Sequence, residues 1–396
     1  MRVSLAPSFS PIKAPGTASV GLPLLDESGA QIILGWTPSD LAAPIAPSPS
    51  TLFGPRGVCL HPDGSLWVCD TGHHRLLRWL RMPEADNAPA DLIVGQADFS
   101  REGRNAKAAP SGSSLNVPTG VCALGGRGLA VADAWNHRVL LWRAAPTRDN
   151  QPADIVLGQD DTAQTLANRG ADRPTAATLH WPYGVAEIDG RLVVADAGNR
   201  RVLIWNEPQT TGQRADIVLG QSDFDSRDEN AGDAVNALGM RWPHGLASWR
   251  GMLAVSDAGD NRIMLWKYLP DRSGAPCDLV LGQKDFSGCD HNMAAYYPSA
   301  PTLNMPYAIA VARGRLIAAD TASSRLIAFS QAEMGASADR LTGQRDFASK
   351  GDNGWGAARR DSLCWPYGLS VRDELVAIAD SGNNRVMLWP LAEASR

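Results

Sequence analysis

The sequence predicts an all-β fold: six four-stranded antiparallel sheets set around an axis, a six-bladed β-propeller in a single domain. Three observations predict it. One short block recurs along the chain at an interval of 60 to 63 residues. Each recurrence sits among short runs rich in Val, Ile and Leu, separated by Gly, Asn, Asp and Pro, and no helical run of comparable strength competes with them. The last copy lacks its final run, while a matching run stands alone near the start of the chain.

The block is clearest as "VVADAGNRRVLIW" (193–205), "AVADAWNHRVLLW" (130–142), "AVSDAGDNRIMLW" (254–266) and "AIADSGNNRVMLW" (377–389), with weaker copies at 67–79 and 317–329. It is anchored by Asp70, Asp133, Asp196, Asp257, Asp320 and Asp380. An Arg follows each Asp by five residues, from Arg75 to Arg385, and an aromatic follows by nine, from Trp79 to Trp389. In the third copy the strands read "YGVAEI", "RLVVAD", "RRVLIW" and "DIVLGQ". Copies one to five carry a fourth strand of the "VLGQ" type, whereas copy six stops at "VMLWPLAEASR". The isolated "AQIILGW" at 30–36 would complete it, so the ring closes by pairing its two ends and leaves no open seam. The propeller is expected over 30–390, with 1–29 an N-terminal extension outside the ring or along its edge and 391–396 a C-terminal tail.

These features resemble the NHL-repeat family of six-bladed propellers, in a branch typical of bacteria. The resemblance rests on the P-x-G-[VL] start, the A-D-x-x-N-x-R-[VIL] core and the [IV]-[VL]-G-Q end, over roughly residues 30–390. Copy five departs most: Ala308 stands for Gly, Ser323 for Asn, and "DRLTGQ" is a weak strand.

Topology ranks the two faces. In an up-and-down sheet the turn between strands two and three shares a face with the link from strand four to the next strand one. The links at 97–115, 160–179, 222–240, 284–303 and 345–363 are long, and loops of that length are often functional. Repeated Asp and Asn residues within them, such as Asp98 and Asn105, read as Asx-turn pins of ordered loops. Positions that differ between copies are the candidate site. Just after the Pro stand Arg56, Thr119, Tyr183, His244, Tyr307 and Tyr367; two before it stand Phe53, Asn116, His180, Arg241, Asn304 and Cys364. Strand one is innermost, so these residues surround the channel mouth. Arg56, Asn116, His180, Tyr183, Arg241, His244, Asn304, Tyr307 and Tyr367 are therefore the candidate ligand or partner contacts. Trp181, Trp242 and Trp365 read as wedges between blades.

The repeated Asp reads as a turn staple held by its Arg, not as a ring of catalytic carboxylates. No nucleophile elbow, phosphate loop or dinucleotide fingerprint stands out, and none of the seven His forms an H-x-x-x-H or H-E-x-x-H pair. The resemblance also reaches a propeller lyase that releases amidated peptides and holds zinc by His from several blades. Only His180 and His244 occupy comparable mouth positions here, so no metal and no cofactor is expected. His73, His74 and His137 read as solvated turn residues.

Net charge is −5, and the five long links together carry −4, which excludes a phosphate-binding surface for nucleic acid. Six Cys form no C-x-x-C pair, no apolar run is long enough to span a membrane, and no signal-peptide h-region is seen, so a cytoplasmic location is expected. The functional expectation is a non-catalytic protein-binding or scaffold propeller, an accessory factor or subunit of a larger assembly. Relatives encoded beside nickel–iron hydrogenases point to a redox setting. The alternative is an enzyme, a lyase or hydrolase with or without a metal, acting on a small polar ligand at the channel mouth.

Overall fold

A computed structural model describes residues 20–35 and 45–393. Trp36 of the closing segment, residues 1–19 of the extension and 394–396 of the tail lie outside the described residues.

Six sheets form the ring. Blade three shows the plan: Pro182–Ile188, Arg191–Asp196, Arg201–Trp205 and Ile217–Leu219 pair in order, all antiparallel. The second and third strands are buried on both sides because each blade is sandwiched between two others. Alternate residues serve opposite neighbours, with Leu192 and Val194 packing towards blade two and Val193 towards blade four. The core is thus six apolar layers, each trapped between adjacent blades.

The ring closes as the sequence predicts. Ile32–Leu34 pairs antiparallel with Arg385–Pro390, placing Ile32 opposite Leu388, Ile33 opposite Met387 and Leu34 opposite Val386. This closure has a consequence for blade six. In blades one to four a loop joins strands three and four, and the Trp ending strand three donates its indole N–H to a carbonyl in it, as Trp205 does to Gln213 at 3.1 Å. The same loop reaches back over the preceding blade's outer edge: the Asn150 N–H donates to the Ile93 carbonyl and the Asp149 carboxylate accepts the Ile93 N–H. Blade six has no such loop, because its fourth strand comes from the other end of the chain. Residues 20–26 do both jobs. Leu22–Pro23 pairs in parallel with Arg340–Thr342, covering blade five's outer edge, and Trp389 donates to the Asp26 carbonyl at 2.8 Å. The "DRLTGQ" run, weak in sequence, is therefore an inner strand of a five-stranded sheet.

Each Asp–Arg pair is fully buried and serves as a hub. Asp133 accepts the Asn116 backbone N–H on Oδ1, and Nε of Arg138 and Nδ2 of Asn136 on Oδ2, at 2.7 Å each. Arg138 then donates to the Ser111, Ser114 and Thr162 carbonyls of two long links. The carboxylate thus holds the guanidinium, and the guanidinium holds the loops. The Gln ending each fourth strand adds a second tie, with Gln159 Nε2 donating to His137 and Leu166 carbonyls.

Candidate functional site at the channel mouth

The residue after each Pro begins the innermost strand and points to the axis. Going round the ring these are Arg56, Thr119, Tyr183, His244, Tyr307 and Tyr367, and together they plug the channel. His244 lies edge-on to Tyr183 at 4.0 Å and to Tyr307 at 4.4 Å between ring centroids; Tyr307 meets Tyr367 at 4.6 Å. The Arg56 guanidinium sits 4.7 Å from the Tyr367 ring centre and 6.0 Å from that of Tyr183, completing the circle. The following residue explains how six strands come this close. A Cβ on Gly184 would strike the His244 carbonyl, and one on Gly368 would strike that of Arg56, so glycine lets the backbones of these blades press against the next; blade five has Ala308 there.

Above this floor lies a cavity of about 440 Å³ walled by strand two–three turns and long links. A second hollow of about 520 Å³, on the blade-one and blade-six side, shares Arg56, Val117 and Trp135 with it. Trp135, Trp181 and Trp242 line the first cavity at 53%, 50% and 42% exposure, so Trp181 and Trp242 present their rings to solvent instead of wedging blades apart. Trp365 is half-buried and stacks on Tyr367.

Burial controls the charge states. His244 is only 7% exposed, and desolvation, helped by Arg56, pulls its pKa down to about 4, so it is neutral at pH 7. Its Nδ1 donates to the Trp242 carbonyl at 2.8 Å, a bond that fixes the tautomer and leaves Nε2 as a bare lone pair. Desolvation also lowers His180, whose Nδ1 is buried without a hydrogen-bond partner. Burial raises the phenols of Tyr183, Tyr307 and Tyr367, Tyr307 to about 12, which keeps them protonated. The buried Tyr183 hydroxyl makes no hydrogen bond among the described residues. Arg56 makes no ion pair among them either, and the same holds for Arg200 and Arg227, which donate only to the Arg227 and Asp172 carbonyls. Among the described residues no Asp or Glu lines the cavity.

Of the residues singled out from sequence, Arg56, Tyr183, His244, Tyr307 and Tyr367 converge on the axis, and His180 lines the cavity above them. Asn116, Arg241 and Asn304 do not join the floor. The backbones of all three are tied to the Asp hub of their own blade, and Arg241 pairs with Glu229 at 3.1 Å on the rim. Sequence reasoning passed over Arg200, Arg227 and Trp135. Arg200 occupies the left-handed position four residues after the Asp, where the other blades carry His74, His137, Asn261, Ser324 and Asn384. The expectation that His74 and His137 are simply solvated is corrected. Each accepts on Nδ1 a backbone N–H from the next blade, of Val117 and Trp181 respectively, at 3.1 Å. Variation at that position in the repeat was the signal available. Among the described residues no three His, Cys, Asp or Glu come together as a metal-binding set.

The ring and the hollow above its plugged axis define a six-bladed propeller with a cavity of small-molecule size at one mouth. A family model described as "NHL repeat" matches residues 54–79, the first three strands of blade one. Six copies of that unit close the ring, and this architecture together with the match supports a place among the NHL-repeat propellers. No curated protein matches the sequence. Among solved structures it is similar to a gluconolactonase from Xanthomonas campestris, at 14% identity over 94% of this chain and 98% of that one, with TM-score 0.49. It is also similar to virginiamycin B lyase from Staphylococcus aureus (11% identity, 91% and 98% covered, TM-score 0.47). A third is an aldose sugar dehydrogenase from Streptomyces coelicolor (15%, 89% and 97%, 0.44). All three are enzymes, and the expectation of a non-catalytic scaffold is corrected accordingly. At these identities the likeness itself shows the ring alone, so the chemistry has to come from the cavity.

Proposed function

We propose that this protein is an enzyme of the lyase or hydrolase class working at the channel mouth. The observation that carries this reading is a neutral His244 with its tautomer fixed, beside an Arg56 that no carboxylate neutralises, on the floor of a cavity. A bare Nε2, on a ring anchored through its Nδ1–H to the Trp242 carbonyl and flanked by two tyrosine rings, is preorganised to take a proton from a bound substrate or from water. Arg56 supplies a positive charge beside which an enolate or tetrahedral oxyanion would develop. The protonated phenols of Tyr183 and Tyr307 are donors available to the leaving oxygen.

Binding an anion at Arg56 would also make His244 a better base, since the uncompensated guanidinium is one of the causes of its low pKa. The free enzyme should therefore lose kcat/KM as pH falls through about 4, because protonated His244 has no lone pair to offer.

The test is turnover of a panel of esters, lactones and β-elimination substrates by the purified protein. His244→Asn, with its fold checked by circular dichroism, should lower kcat by ~100-fold or more. A native protein inert across the panel, or a His244→Asn variant as active as the native enzyme, would sink the reading.

A further inference from the structure

The cavity's charge is opposite to that of the molecule. The chain carries −5 overall, yet Arg56, Arg200 and Arg227 face one space with no acidic side chain lining it among the described residues. On the rim Glu229 is paired with Arg241, and Asp133 and Asp196 are held by Arg138 and Arg201. Three guanidiniums around one hollow repel each other; among the described residues Arg200 and Arg227 donate to main-chain carbonyls and Arg56 lies against tyrosine rings. The Arg200 Nε is buried without any partner. A bound anion would relieve both the repulsion and the unmet donors, and planar guanidinium forks match a carboxylate in geometry as well as charge. The same walls present three half-exposed indoles, Trp135, Trp181 and Trp242, which offer flat apolar faces above the cationic floor.

We propose that the cavity binds an organic carboxylate carried on a planar, conjugated body, with the carboxylate held by Arg56, Arg200 and Arg227 and the body stacked against the three tryptophans. This rests on the reading of the cavity as the active site and names the class of substrate it takes.

Isothermal titration of the full chain with 2-naphthoate, 2-naphthamide and cyclohexanecarboxylate separates the two requirements. The expected result is that 2-naphthoate binds, and that both the neutral amide and the non-planar acid bind about 10-fold more weakly or worse. Added salt should weaken 2-naphthoate binding. Arg227→Gln should weaken it by about 10-fold with an unchanged melting curve, since this side chain makes a single bond to the Asp172 carbonyl. Amide or cyclohexane acid binding as tightly as 2-naphthoate would overturn the inference. So would no binding at millimolar probe, or an Arg227→Gln variant of native affinity. Carboxylate binding without turnover of any substrate in the panel would leave this inference standing and remove the enzymatic reading. Turnover confined to uncharged substrates would do the reverse.

Discussion

At the residue scale, small departures from the repeat carry the chemistry. In blades two, three and six the Asp hub is completed by Asn136, Asn199 and Asn383, whose amides donate to it. Blade four has Asp260 there, 1% exposed, facing Asp257. Burial and the Asp257 charge push its carboxyl up to about 7, from an ordinary 3.8. The folded ring therefore holds a proton that the unfolded chain releases. Stability from this group is fully present below the ordinary carboxyl value and is lost as pH rises towards 7. Asp260→Asn restores the neutral donor, and should raise the melting temperature by roughly 2 °C at pH 8, with the gain shrinking as pH falls. A gain that is constant across pH 5 to 8, or no gain, would show that Asp260 is already neutralised in another way. His244 acts with the opposite sign: its pKa is depressed, so its share of stability is present above 6.5 and lost as pH falls towards 4. Cutting a hub outright is a different matter. Asp133→Ala leaves Arg138 buried without its carboxylate and should cost ~3–5 kcal/mol in denaturant unfolding.

At the scale of elements, the blades are joined by hydrogen bonds that turns send across the gaps. The left-handed residue after each Asp turn is one half of such a joint. His137 accepts from the Trp181 N–H, and Asn261 does the same for Met305 at 2.8 Å. His137→Asn should thus melt close to the native protein, whereas His137→Ala should lose about 1 kcal/mol and loosen Trp181 in the cavity wall. Equal melting of the two variants would show that the joint contributes nothing. The existence, order and register of these blades were legible in the sequence, because strand alternation and turn residues are local signals that the repeat multiplies six times. The site was only partly legible. Strand one's position after the Pro pointed to Arg56, Tyr183, His244, Tyr307 and Tyr367. It could not show that Asn116 and Asn304 would stay out of the cavity lining, or that Arg200 from a turn would enter it. Those outcomes depend on which side chains neighbouring blades bring together, and that information is not local in the chain.

At the scale of the whole molecule, both ends of the chain meet in one sheet, so the ring's continuity depends on residues far apart in sequence. Removing residues 1–35 would expose the Arg385–Pro390 edge, uncover blade five's outer strand and leave the Trp389 N–H unpaired. The truncated protein should melt at lower temperature and show oligomers or aggregate on size-exclusion chromatography. Unchanged melting and elution would mean that closure is not a stabilising device here.

The sequence alone determined the number of blades and the pairing of the termini, because period, alternation and the missing fourth strand are properties of linear order. Only the tertiary structure decided that residues 20–26 replace an absent hairpin loop, that Asp260 lies against Asp257, and that three arginines share one hollow. Electrostatic environment is set by distances between blades and by burial, which arise when the ring closes and have no counterpart in the order of residues.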